Sequence, residues 1–172
     1  YDLKDKTTKH VDMGFDHDIY LPRMQWAKGE NQLLITKLNR HQNDYELFVV
    51  NADNLQMKKI YKEVDECYIE QPDFVNCLDD KENIIIKSEK DGFMNLYMVN
   101  INTKNITPIT NNKFDVDNIS YIDEKNKEVY FTAAMSFPYD RELLKISFNG
   151  KNQTLLSKNT GTTTADFSNN GK

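Results

Sequence analysis

Arg40, His41, Gln42 and Asn43 place a guanidinium, an imidazole and two amides side by side, between an apolar run at 33–35 and another at 47–50. Such a polar knot is either part of a ligand cavity or the turn that joins two strands. Elsewhere the titratable residues are dispersed. His10, His17 and His41 are spread over different repeats, and only the DHD stretch at 16–18 sets a histidine against two carboxylates. A metal site needs three or four convergent ligands, so none is expected, and no cofactor is implied. The acidic stretches DVD at 115–117 and LDDKEN at 78–83 lack the glycine and glutamate positions of a calcium loop and read as solvated turns. Cys67 and Cys77 form no CxxC pair and read as two unpaired buried thiols, with a single disulfide as the alternative. No glycine-rich phosphate loop is present.

The elements that must position these groups are strands. The 172 residues suffice for one ordinary domain, and no apolar run approaches the roughly 20 residues that span a bilayer. A formal net charge of -5 with interspersed signs offers no basic stripe for a nucleic acid. No window sustains a helical period for more than about two turns. Short runs rich in Ile, Val, Tyr, Phe and Leu alternate with clusters of Asn, Asp, Lys and Gly, as strands and hairpin turns do. In SFNGKN, Asn149 and Gly150 suit a two-residue turn with positive φ at both positions.

These runs are copies of one another. ELFVVNADNLQMKKI, NLYMVNINTKNITPI and ELLKISFNGKNQTLL superimpose without gaps, which spaces Leu47, Leu96 and Leu143 by 49 and 47 residues. Trp26, Phe74, Tyr121 and Phe167 form a second series, each just before a polar turn, at spacings of 48, 47 and 46. A β-rich period of this length is the signature of a propeller blade. The expected fold is therefore all-β: a partial β-propeller of roughly three four-stranded antiparallel blades at 19–65, 69–112 and 114–158, with partial blades at 1–14 and 162–172. The triple-apolar stretches at 33–35, 84–86 and 129–131 should be second strands covered on both faces. The aromatic series is expected to pack blade against blade. Arg40 to Asn43 fall at the hairpin between second and third strands, where amide side chains cap the turn and Arg40 pairs with an acid on an adjacent blade. A contribution to a substrate cavity or an interdomain contact is the other reading of the four.

With the repeat in place, DIYLPRMQW followed by LLITKLNRHQNDYELFVVNAD resembles the propeller of the dipeptidyl peptidase IV family, serine exopeptidases related to prolyl oligopeptidase. SEKDGFMNLYMVN, and FDVDNISYIDEKNKEVYFTA with RELLKISFNGKNQTLLS, resemble its following blades, and the most specific piece is LNRHQN. The resemblance implies an N-terminal propeller joined to a C-terminal α/β-hydrolase domain, which together release N-terminal dipeptides with proline or alanine in second place. The catalytic serine of such enzymes lies on a GxSxG elbow, and paired glutamates hold the substrate's ammonium. This chain has neither GxSxG nor Glu-Glu, so no catalytic residue is carried over. The chain is thus expected to be a propeller excerpt that serves as scaffold and substrate gate, its partners being peptide substrates and the hydrolase domain. A bacterial periplasmic or cell-surface location is implied by the resemblance alone. The open blade faces of three blades and two partial ones are expected to drive self-association. The alternative is a TolB-like or other propeller that binds proteins and has no link to a peptidase.

Overall fold

Most of the short runs rich in β-branched and aromatic residues form strands. The computed structural model describes residues 1, 3–14, 18–28, 31–70 and 75–168. It divides into two compact units, Tyr1–Phe74 and Val75–Lys172. The described residues contain no α-helix and thirteen strands.

The first unit holds one antiparallel sheet: β1 (Ile19–Tyr20), β2 (Met24–Trp26), β3 (Gln32–Asn39), β4 (Asp44–Asn51) and β5 (Met57–Val64). Four strands are expected of a blade, and the fifth arises because the first strand is broken in two. β1 pairs with Leu38 and Asn39, and β2 pairs with Leu33 to Ile35. Pro22, which lacks an N–H, falls between the two pieces and interrupts the ladder. Thr36 repairs the gap. Its hydroxyl accepts from the Arg23 N–H at 2.8 Å and donates to the Arg23 carbonyl at 3.1 Å, while its own N–H bonds that carbonyl at 3.0 Å.

The second unit holds two four-stranded antiparallel sheets. One is β6 (Asn76–Cys77), β7 (Asn83–Ser88), β8 (Asn95–Asn100) and β9 (Ile106–Pro108); the other is β10 (Val116–Asp123), β11 (Glu128–Ala133), β12 (Glu142–Ser147) and β13 (Thr154–Leu155). A single apolar cluster joins them, with Leu78, Ile85, Leu96 and Ile109 from the first and Val129, Phe131, Leu144 and Ile146 from the second. Alternate residues of β11 supply Val129, Phe131 and Ala133, as the period of two requires. Ile84, Ile85 and Ile86 are all buried, so β7 is covered on both faces. In β3 and β11 one member of each apolar triplet, Leu33 and Tyr130, stays half-buried.

The copies agree in hydrogen bonding as well as in sequence. The Leu96 carbonyl accepts from the N–H groups of Ile109 and Thr110, and the Leu143 carbonyl from those of Leu156 and Ser157, each 13 and 14 residues on. The hydroxyls of Thr110 and Ser157 accept in turn from the N–H of the same leucine, at 2.8 and 3.3 Å. In the first unit the register slips at the equivalent place, between Leu47 and Phe48. The turns after β4 and β8 are also alike: Asn51 and Asn100 each accept two N–H bonds on Oδ1, and a left-handed residue follows four positions on, Leu55 (φ 59) and Lys104 (φ 65). After β12 the turn differs from the expected pair of positive φ values. Its left-handed residues are Gly150 (φ 76) and Asn152 (φ 59). Asn149 instead accepts the Lys151 N–H on its side chain, as an Asx turn does.

Candidate functional site

The polar knot lies between β3 and β4, and its shape begins with a residue just ahead of it. Oδ1 of Asn39 accepts the N–H groups of Asn43 and Asp44 at 2.9 and 3.1 Å, and its Nδ2 donates to Oδ1 of Asn43 at 2.8 Å. The N–H of Gln42 closes the turn on the Asn39 carbonyl at 3.0 Å, with Gln42 in the left-handed region at φ 56. Two further bonds fasten the turn to the chain that leaves β5: the Asn43 carbonyl accepts from Asp65 and the Gln42 carbonyl from Ile69, at 3.0 and 2.7 Å. Asn43 thus serves the turn, and His41 is exposed.

Arg40 turns back towards β1. Its Nη1 donates to the Tyr20 hydroxyl, and its guanidinium carbon stands 5.7 Å from the centre of the Tyr20 ring. The acid beside it is Asp18, at the head of its own repeat rather than on a neighbouring one. That contact is 4.0 Å long between side chains 62% and 72% exposed, a geometry worth little in water. Tyr20, Leu21, Pro22, Leu38 and Gln42 line a groove of about 350 Å³ beside this pair. Leu38, opposite Tyr20 in the β1–β3 ladder, is buried, whereas Leu21 is half exposed. The groove follows from the broken strand, because residues 21–23 are released from the ladder between β1 and β2. Asn39, Tyr20 and the groove escaped the reading of the sequence. Asn39 directly ahead of a polar turn and Pro22 within a strand were the available signals.

The other sequence candidates are scattered. Of the DHD stretch, residues 16 and 17 lie outside the described residues, and Asp18 is the acid beside Arg40. Phe74 also lies outside them. Trp26 sits on β2 with 65% of its surface exposed, next to an exposed Met24 on the same face. Tyr121, on β10, stacks on Phe167 with centroids 5.1 Å apart and planes 13° apart, and Tyr130 of β11 closes on Phe167 at 5.0 Å. Cys67 is an exposed thiol, not the buried one expected, because the chain has left the sheet at Asp65. Cys77 is half-buried on β6. Among the described residues no three His, Cys, Asp or Glu side chains converge as metal ligands would.

Two polar anchors sit at equivalent places at the start of β8 and β12. The buried Asn95 accepts from the Thr110 hydroxyl at 2.7 Å and the Asn112 N–H at 2.9 Å, while its amide donates to the carbonyls of Phe93 and Asn112. The buried Glu142 accepts the N–H groups of Met135 and Ser136, both at 3.0 Å. Burial pushes the Glu142 pKa up, but the hydrogen bonds from Ser136 and Met135 outweigh it and hold the carboxyl below its ordinary value. Both anchors secure loops at the same end of their sheets.

Four-stranded antiparallel sheets in tandem, stacked through a shared apolar layer and closed by repeated bulges and turns, define the class as a β-propeller, here part of one. The chain matches, over residues 1–172, the family model described as the dipeptidyl peptidase IV (DPP IV) N-terminal region, and it belongs to that family. It is similar to the crystal structure of Porphyromonas gingivalis dipeptidyl peptidase 4, with 28% identity and a TM-score of 0.81 over 94% of this chain and 23% of that one. A Bacteroides ovatus structure described as a dipeptidyl aminopeptidase IV shares the fold, at 22% identity and a TM-score of 0.77 over 89% of this chain and 24% of that one. The chain thus spans about a quarter of the length of these solved structures.

Proposed function

We propose that this chain is the propeller portion of a dipeptidyl peptidase IV-like serine exopeptidase that releases N-terminal dipeptides of the Xaa-Pro or Xaa-Ala kind. The observation that carries the reading is the family match along the whole chain, together with the likeness to the Porphyromonas gingivalis enzyme. In this reading the propeller is scaffold and gate: it restricts entry to slender peptides and free amino termini. A separate α/β-hydrolase domain would perform the acyl transfer through a serine ester, activated by a histidine that an acidic residue orients. The propeller contributes shape and exclusion, and no residue of this chain is assigned to the bond-breaking step.

The natural protein that carries this chain is expected to release the chromophore from a Gly-Pro chromogenic substrate, and the 172-residue chain alone is expected to release none. A full-length protein that binds partners but leaves the substrate intact would defeat the reading, as would turnover by the chain alone that survives mock-purification controls. Export to the bacterial periplasm or surface belongs to the same proposal, and cell fractionation tests it.

A further inference from the structure

Of the asparagines in the chain, Asn149 and Asn170 are followed by glycine. Asn170 lies outside the described residues, whereas Asn149 is exposed in the turn between β12 and β13. The following glycine matters chemically. It has no Cβ to crowd its own nitrogen as that nitrogen approaches the amide carbon of the preceding side chain. The turn adds two constraints of opposite sign. Oδ1 of Asn149 accepts the Lys151 N–H at 3.1 Å, which folds the side chain back over the Gly150 peptide group and polarises the amide carbonyl. The Gly150 N–H donates to the Ser147 carbonyl at 2.9 Å, so the nitrogen is released for reaction only when the turn opens. Opening of an exposed turn belongs to the least costly of local motions. Gly150 also lies against the end of β9: a Cβ in its place would stand 3.4 Å from the Ile109 carbonyl oxygen and 3.7 Å from that of Pro108.

We propose that Asn149 is a site of spontaneous modification, which passes through a cyclic imide to isoaspartate and aspartate at a pace set by the Gly150–Ser147 hydrogen bond. Hydroxide takes the proton of the Gly150 nitrogen, and the nitrogen lone pair attacks Cγ of Asn149. The N–Cγ bond forms, the Cγ–Nδ2 bond breaks, and the amide leaves as ammonia with a proton from water, which regenerates the hydroxide. Water then opens the imide. Opening at Cγ gives aspartate, and opening at the main-chain carbonyl gives isoaspartate, whose backbone runs through the former side chain. Either product makes the chain one charge more negative than its formal -5. Isoaspartate also lengthens the turn by a methylene and dislodges Gly150 from the Ile109 carbonyl, so the modified chain loses stability in its second unit. This goes beyond the peptidase reading and does not rest on it.

The test is incubation of the 172-residue chain in neutral and alkaline buffer, with and without denaturing urea. Proteolytic mapping by mass spectrometry follows Asn149, and isoaspartate is counted by methyl transfer from S-adenosylmethionine with an isoaspartyl methyltransferase. In the folded chain Asn149 is expected to convert faster than every asparagine not followed by glycine, in proportion to hydroxide. In urea its conversion should be about tenfold faster, the factor that about 1.4 kcal/mol of local opening imposes. Asn149→Gln is expected to remove methyl acceptance from that peptide and to keep the unfolding midpoint near that of the parent chain. Asn170→Gln should leave the conversion of Asn149 unchanged, and the aged Asn170→Gln chain should unfold at lower urea than the fresh one. An Asn149 peptide that stays intact in the folded chain, a rate indifferent to pH, or the same rate in urea would each overturn the proposal. Equal midpoints for the aged and fresh Asn170→Gln chain, with Asn149 converted, would overturn the loss of the Ile109 contact.

Discussion

Glu142 shows how a carboxylate can tie a loop to a sheet. It is buried, and its two oxygens satisfy the N–H groups of Met135 and Ser136 in the loop that leads back into β12. Its pKa is held below the ordinary carboxylate value, as are those of Asp80 and Asp123. For Asp80, burial pulls the other way and is outweighed by bonds from Asn83 and Glu82; for Asp123, bonds from Asn126 dominate. Groups whose folded pKa is depressed add stability above the unfolded value, near pH 4, and lose it as pH falls through the folded value. Urea unfolding midpoints are therefore expected to hold from pH 7 to about pH 5 and to drop towards pH 3. Glu142→Gln should cost about 1–3 kcal/mol at neutral pH, because one of the two N–H groups then faces an NH₂, and should flatten part of the acid limb. An unchanged acid limb in that variant would show that the charge of Glu142 contributes nothing to the pH dependence.

The broken first strand of the first sheet makes a comparable point for a longer stretch. Pro22 breaks it, and the hydroxyl of the buried Thr36 carries two of the three bonds that tie Arg23 back to Thr36 on β3, the third being the Thr36 N–H to the Arg23 carbonyl. Thr36→Val keeps the shape and removes the two hydroxyl bonds, so a loss of about 1–2 kcal/mol is expected, with faster exchange of the Arg23 amide than in the parent chain. Equal stability and unchanged exchange would mean that the β1 and β2 ladders and the Thr36 N–H hold this segment without the hydroxyl. The hydroxyls of Thr110 and Ser157 perform a similar service at the bulges opposite Leu96 and Leu143. Short hydroxyl side chains thus recur where the ladder is irregular, since they can replace a missing backbone partner at little entropic cost.

The exposed Trp26 and Met24 bear on how the whole chain behaves in solution. Large apolar side chains grouped on one strand face are an invitation to association. The chain is expected to self-associate, with sedimentation velocity showing species heavier than 20.2 kDa that grow with concentration. A single monomeric boundary at high concentration would contradict this. Trp26→Ser combined with Met24→Ser is expected to shift the distribution towards monomer, because polar side chains on that strand face remove the apolar contact.

Much of this architecture could be read along the line of residues. The copies spaced by about four dozen positions, the second strands at 33–35, 84–86 and 129–131, and the hairpin at Arg40 to Asn43 are set by short continuous apolar runs and by turn residues, which act over a few neighbours. The partners of those residues could not be read in this way. That Arg40 meets Tyr20 and Asp18, that Thr36 bridges the gap left by Pro22, that Phe167 stacks on Tyr121, and that Cys67 is exposed all depend on strand registers and on where the chain leaves a sheet. Alternation and turn chemistry are local properties of a chain. A groove or a pairing across twenty or more residues exists only once the ladder has brought its distant members together.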